Sequence, residues 1–315
     1  MHLIELADQS IAYHSSTYLT ERQYLLQQIY MKINKVVPLE QNYLQILGDI
    51  AKTPKSLYFI GNLPQQRVPT VAIVGTRRPT AYGKEVTHRL AYDLASRGVI
   101  VVSGLALGVD GIAHRAALEA GGTTLAVLAN SLPKIYPATH RDLAKDIIAK
   151  GGAIISEHQD NESPRGYDFL ARNRIVSGLA DAIIITEAAS RSGTLNTAAH
   201  ALEQGREVFV VPGNITSPLS AGCNALLKQG ATPITCADDI LQVIAPHTPD
   251  KQTLLPLGNT PDETTILRLL ADGMRNGDEI QQKTGIAAAD FSMALTMLEM
   301  NGAIRPLGGN QWTLR

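Results

Sequence analysis

The chain has almost no cysteine. Only Cys223 and Cys236 occur in 315 residues. Their spacing matches neither a zinc ligand set nor a redox pair, so both read as reduced thiols. Charge excess is missing too: 28 Lys and Arg against 29 Asp and Glu leave a net −1. That balance excludes a molecule-wide cationic surface and leaves room only for a local basic patch. No apolar run approaches a membrane span, and the first residues show neither the basic start nor the apolar core of a secretion signal. A soluble, cytoplasmic protein is therefore expected. Phe and Trp are scarce, with four and one, beside ten Tyr, so a Phe beside basic residues stands out. A Walker loop and a G-x-G-x-x-G fingerprint are both absent, and no internal repeat or low-complexity tract is seen.

What is present is an alternation of short apolar runs and helical patterns. The stretch from Arg172 to Gly213 shows it best. Ala182 to Ile185 is a continuous apolar run, Leu195 to Gln204 has helical spacing, and Val208 to Val211 is a second run stopped by Pro212-Gly213. This reads as a βαβ unit whose strands are buried in a parallel sheet. Similar runs at Val71–Val74, Val99–Val102, Leu125–Leu128, Ile154–Ile155 and Pro233–Thr235 alternate with helices. The pattern predicts an α/β fold, a Rossmann-like doubly wound and mostly parallel sheet, over residues 65–245. Residues 1–64 read as an N-terminal helical segment, with a pattern around Leu19 to Ile33, a short helix at Leu44–Ile50 and a strand at Leu57–Ile60. Four prolines between Pro246 and Pro261 mark 246–261 as a linker. Residues 262–315 show three short helical patterns and a terminal hairpin, a small winged-helix-like domain.

Side chains at the carboxyl ends of parallel strands gather at one edge. Gly75, Arg77 and Arg78 follow the first strand of the sheet, and guanidinium forks match phosphate oxygens. Ser103 and Gly104 open a turn before a helix, an anion cradle. Arg172, Asn173 and Arg174 are placed at another helix start, and Ser192-Gly193-Thr194 either cradles an anion or simply caps its helix. Two basic loops and two small-residue turns on one edge predict an anionic ligand. Phe169, three positions before Arg172, is either a stacking face for a base or a core ring. Asp110 and His114 share a helix face, but a third metal ligand is missing, so a structural hydrogen bond is expected there. His140, His158 and His200 read as surface or capping residues. Glu187, at a strand end, is either a base or a loop-orienting carboxylate.

The ordered set Gly75-Thr76-Arg77-Arg78, Ser103 to Asp110, Tyr136-Pro137, Phe169 to Ile175, Ser192 to Leu195 and Pro212-Gly213 resembles the DNA-processing protein A (DprA/Smf) family from about Tyr43 to Ile244. The resemblance implies a core that forms homodimers, binds single-stranded DNA and loads RecA recombinase during natural transformation. No cofactor, metal or membrane is expected. It places Arg77, Ser103, Gly104, Arg172, Asn173, Arg174 and Ser192–Thr194 in a DNA pocket, with Lys134, Arg165 and Phe169 as neighbours. Two departures stand out. The first 40 residues lack the glycine-bearing helical hairpin of many members, and Asn196 stands where an apolar residue is expected.

A nucleotide phosphoribohydrolase is the competing reading, since that class shares the phosphate-binding Gly-Thr turn. It needs a carboxylate three residues after the Thr. Here Gly193-Thr194-Leu195-Asn196 is followed by Thr197 with no acid in its place, which argues for binding without bond cleavage. Residues 262–315 hold five Lys and Arg against seven Asp and Glu. The third helical pattern offers no Arg or Lys to a DNA groove, so a protein contact or a dimer-modulating role is expected for this domain.

Overall fold

The computed structural model describes residues 32–159, 165–245 and 258–314. The helical pattern around Leu19 to Ile33 lies almost wholly outside them. The chain divides into two compact units, 1–247 and 248–315.

The first unit is built on a nine-stranded sheet. Its strands are β1 (Asn34–Val36), β2 (Leu57–Gly61), β3 (Thr70–Val74), β4 (Ile100–Ser103), β5 (Thr124–Leu128), β6 (Ala153–Ser156), β7 (Ala182–Ile185), β8 (Glu207–Val210) and β9 (Thr232–Pro233). Every residue of β3 to β7 is buried, as apolar strands covered on both faces must be. The strand order is β1-β2-β6-β5-β4-β3-β7-β8-β9, with all pairs from β6 to β9 parallel. From β3 the chain winds outward through β4, β5 and β6, then returns to place β7 on the other side. The winding therefore reverses between β3 and β7, where crevices open at the carboxyl ends.

The helices that cover the sheet are α1 (Ala81–Ser96), α2 (Val109–Glu119), α3 (Arg141–Ala149), α4 (Gly166–Leu179), α5 (Gly193–Glu203), α6 (Ala221–Lys228) and α7 (Asp238–Ile244). One face packs Ile175, Val176 and Leu179 of α4 and Ala198 and Ala201 of α5 on alternate strand residues such as Val102, Ile183 and Ile185. The opposite face packs Leu90 and Leu94 of α1 on Val71, Ile73 and Val101.

The short helix expected at Leu44–Ile50 is a 3-10 helix, Gln45–Asp49. β1 was not visible in the sequence as a strand. β1 and β2 extend the sheet antiparallel from β6. Tyr43 fastens this segment to the core. Its hydroxyl lies 3.0 Å from Thr70 Oγ1, and Arg67 stacks on its ring at 5.1 Å while pairing with Asp181 at 2.6 Å. Burial pushes the Tyr43 phenol up to about 12.

The second unit has three helices, α8 (Pro261–Ala271), α9 (Gly277–Thr284) and α10 (Ala288–Met300), and a hairpin of β10 (Ile304–Gly308) and β11 (Gln311–Leu314). Asn276 caps α9 by accepting from the amides of Asp278 and Glu279. Ile266, Leu267, Leu270, Ile280, Phe291, Leu295, Leu298 and Ile304 form a separate core. This is a winged-helix arrangement.

Candidate nucleic-acid interface

The carboxyl edge of the sheet is assembled by loops that press on one another. The loop after β3 is tied to the loop after β7 by Thr76 N–H donating to the Glu187 carbonyl at 2.8 Å. Gly108, with φ of 76°, closes the loop after β4 directly onto Thr76 and Arg77. A Cβ there would sit 2.4 Å from the Thr76 carbonyl oxygen, so only glycine allows the approach. The Arg77 backbone is thereby held from below. Gly75, the first residue of that loop, is half-buried against Val109.

Arg77 and Arg78 are both exposed. The Arg77 guanidinium lies over the half-buried Phe169 ring, 5.4 Å from its centroid. Tyr136 meets the same ring at 5.7 Å with a 59° tilt, and Tyr136 is itself 48% exposed. Phe169 is thus neither sealed in the core nor alone. Tyr136 belongs to this cluster, although the sequence singled it out only as part of a motif. Lys134 and Arg165 are exposed on neighbouring segments, and Arg165 is the N-cap residue of α4, its amide held by Asp168 at 2.7 Å.

Arg172 and Arg174 require a correction. They do not start a helix, because α4 begins at Gly166, and each residue is only 7% exposed. Arg172 Nη1 donates to the carbonyls of Gly104, at 2.9 Å, and Val127. A Cβ on Gly104 would lie 2.5 Å from the Arg172 guanidinium, so the Ser103-Gly104 turn and Arg172 are two halves of one contact. Burial pushes the Arg172 guanidinium down to about 10, with Asp110 opposing the shift and Arg77 adding to it. It therefore remains charged at neutral pH. Asp110 accepts from the amides of Gly104 and Ala106, and burial raises its carboxyl against the pull of Arg172. Arg174 pairs with Glu157 through one nitrogen, at 2.7 and 2.8 Å to the two oxygens.

The remaining candidates also make structural contacts. Ser103 Oγ donates to the Ile73 carbonyl at 2.7 Å. Ser192 caps α5, accepting from the Thr194 amide at 3.2 Å, while Gly193 is exposed and Thr194 buried. Asn173 Nδ2 donates to the Gly193 carbonyl at 3.4 Å and to Asn196 Oδ1 at 3.2 Å. Asn196, half-buried, is thus partnered by Asn173. Glu187 orients a loop: its two oxygens accept from the Thr80 amide and hydroxyl at 2.8 and 2.7 Å. It borders a cleft of about 400 Å³ with Tyr82, Pro212 and Gly213. His114 is fully buried with Nδ1 2.6 Å from Thr124 Oγ1, and burial lowers its ring to about 3. His140, read as a surface or capping residue, stands at the N-cap position of α3 and is buried, with Nδ1 2.9 Å from the Leu105 carbonyl oxygen. Among the described residues no group of three or more His, Cys, Asp or Glu is arranged to hold a metal. No helix among them is long and apolar enough to cross a membrane.

Residues 34–245 match the model of the DNA recombination-mediator protein A family, and residues 245–310 match that of the DprA winged helix domain. Protein Smf of Escherichia coli K12 is 38% identical over 280 residues, covering 83% of this chain and 72% of the relative. The solved DNA processing protein A of Streptococcus pneumoniae matches with a TM-score of 0.63 at 36% identity, over 70% of this chain and 78% of that one. That of Helicobacter pylori, described for its single-stranded DNA binding mode, matches with a TM-score of 0.59 at 35% identity, over 67% of this chain and 94% of that one.

Proposed function

The chain belongs to the DNA recombination-mediator protein A (DprA/Smf) family, and from that premise we propose that it binds single-stranded DNA along the carboxyl edge of its sheet. The observation that carries this is the exposed Arg77 guanidinium over Phe169, with Tyr136 against the same ring. A flexible strand can lay bases on such rings while its phosphates meet cations, and neither contact reads sequence. Arg77, Arg78, Lys134 and Arg165 are the phosphate contacts of this reading, with Phe169 and Tyr136 the stacking faces. Gly75, Ser103, Gly104, Arg172, Asn173, Arg174 and the Ser192–Thr194 cap form the frame that sets their positions. Arg172 adds a buried positive charge beneath Arg77. The cytoplasmic protein acts as a homodimer that protects incoming strands and loads RecA recombinase on them in natural transformation.

The bound strand is not cleaved in this reading. Thr197 stands where a phosphoribohydrolase carries its carboxylate, and both oxygens of Glu187 are engaged by Thr80. Titration of oligo(dT) and of a blunt duplex at several salt concentrations tests the proposal. Tighter binding to the single strand, weakening as salt rises, is expected. Equal or tighter binding to the duplex overturns it. RecA filament assembly on the same oligonucleotide should accelerate in its presence, and an unchanged rate removes the loading role alone.

A further inference from the structure

We propose that the outward face of α10 is a docking surface for an amphipathic helix of another protein, one whose apolar stripe is bordered by Lys or Arg. Phe291, Ala294, Leu295 and Leu298, spaced i, i+3, i+4, i+7, form the inner face and are buried in the core of the second unit. The opposite face carries Met293, Met297 and Met300, spaced i, i+4, i+7, and these are 62%, 42% and 77% exposed. The three methionines form an apolar stripe on an outward face that also carries exposed Ser292 and Thr296, and that stripe is open to solvent.

Methionine on that face suits a partner's side chains rather than water. Its unbranched, polarizable side chain adapts to varied apolar shapes. The borders of the face set the partner's charge. Asp290 and Glu299 are both exposed and α10 carries no Lys or Arg. Across the same unit the exposed carboxylates Asp262, Asp272, Asp278 and Glu279, with those two, outnumber the exposed cations Arg268, Lys283 and Arg305. Phosphates would be repelled, and base edges would find neither Arg nor Lys along this helix. A second copy docked face to face would bring carboxylates to the borders of both helices with no cation on either. A cationic helix satisfies both the apolar stripe and its rims, in the helix-on-groove manner of peptide recognition.

The test uses the full chain and fluorescent peptides of about 18 residues, five helical turns. One peptide has Leu at i, i+3, i+4, i+7 and Lys elsewhere; its control replaces Lys by Glu. The Lys peptide should bind, and the Glu peptide should bind much more weakly. Met293→Glu with Met297→Glu should weaken the Lys peptide by about tenfold or more, as loss of an interface anchor does. Because both Met side chains point away from the core, the thermal midpoint and the oligo(dT) affinity should stay unchanged. Asp290→Lys with Glu299→Lys should also weaken the Lys peptide while leaving the fold intact. Equal binding of the two peptides, or indifference to the Met substitutions, overturns the proposal. So does a double Met variant that loses self-association in sedimentation, which would make a second copy the occupant, or one that loses duplex DNA binding.

Discussion

Arg77 and Arg172 reach the same sheet edge from different elements, and they meet opposite surroundings there. Arg77 rises from a loop, exposed, with a phenyl ring beneath its guanidinium. Arg172 comes from the second turn of α4 and is closed in by the carbonyls of Gly104 and Val127 and the carboxylate of Asp110. An exposed cation adds little to folding and is available to a phosphate. A buried one cannot be removed without stranding its partner. On the proposed function, a family motif rich in arginine divides its residues between contact and scaffold. The contrast also says where each substitution should register, in affinity or in stability.

The largest effect expected is on the buried side. Arg172→Ala strips the donor from the buried Gly104 and Val127 carbonyls and the opposing charge from buried Asp110, and should cost about 3 kcal/mol of stability in a denaturant titration, since each buried acceptor left unmade costs about 1–3 kcal/mol. Arg77→Ala should stay within about 0.5 kcal/mol of the parent in the same experiment, as exposed substitutions do. Equal stability losses for the two would erase the distinction.

His114 lies in the same buried region, and its titration tests that region's dryness. The unfolded ring takes a proton near its ordinary 6.5, whereas the folded ring is held down to about 3 by burial, with His140 and nearby arginines adding to the shift. The stability linked to His114 is thus complete above pH 6.5 and is lost progressively as pH falls toward 3. By pH 5 the loss should be about 2 kcal/mol. A His114→Asn variant that folds should show a shallower fall between pH 8 and pH 5. An equally steep fall would mean that His114 is not the group responsible.

On the exposed side, Phe169→Ala should weaken oligo(dT) binding by about 1–3 kcal/mol with its salt dependence nearly unchanged, since stacking moves no counterions. A fall in thermal stability with intact affinity would make Phe169 a core ring instead. The smallest effect concerns the frame. Asn196→Ala removes the bond that ties α5 to Asn173 and should cost about 1 kcal/mol of stability, read as a small drop in thermal midpoint. Unaltered stability would show that the Asn173–Asn196 bond contributes nothing.

The sheet was readable because parallel strands buried on both faces leave uninterrupted apolar runs such as Ala182–Ile185. β1 was not, because a three-residue edge strand containing Asn34 and Lys35 has no such run. The antiparallel pairing of β2 is set by its contact with β6, between Tyr58↔Ser156 and Gly61↔Ala153, and no local pattern encodes it. At the site, the loops and the Phe169 neighbourhood were legible from glycines and a rare aromatic. The burial of Arg172 was missed because the residue type was weighed above its position. A signal existed: Arg172, Ile175, Val176 and Leu179 share the i, i+3, i+4, i+7 spacing of one helix face, and that face is the buried one. The partners of Arg172 are backbone carbonyls on two other strands' ends, which no side-chain pattern announces.

The central claim is that Arg77 meets a DNA phosphate. It is tested most directly by titrating oligo(dT) into the parent and Arg77→Ala at several salt concentrations, with folding confirmed first. Loss of one phosphate contact should weaken binding alike for all sequences and reduce the log–log salt slope by about 1. An affinity and slope identical to the parent would contradict the account.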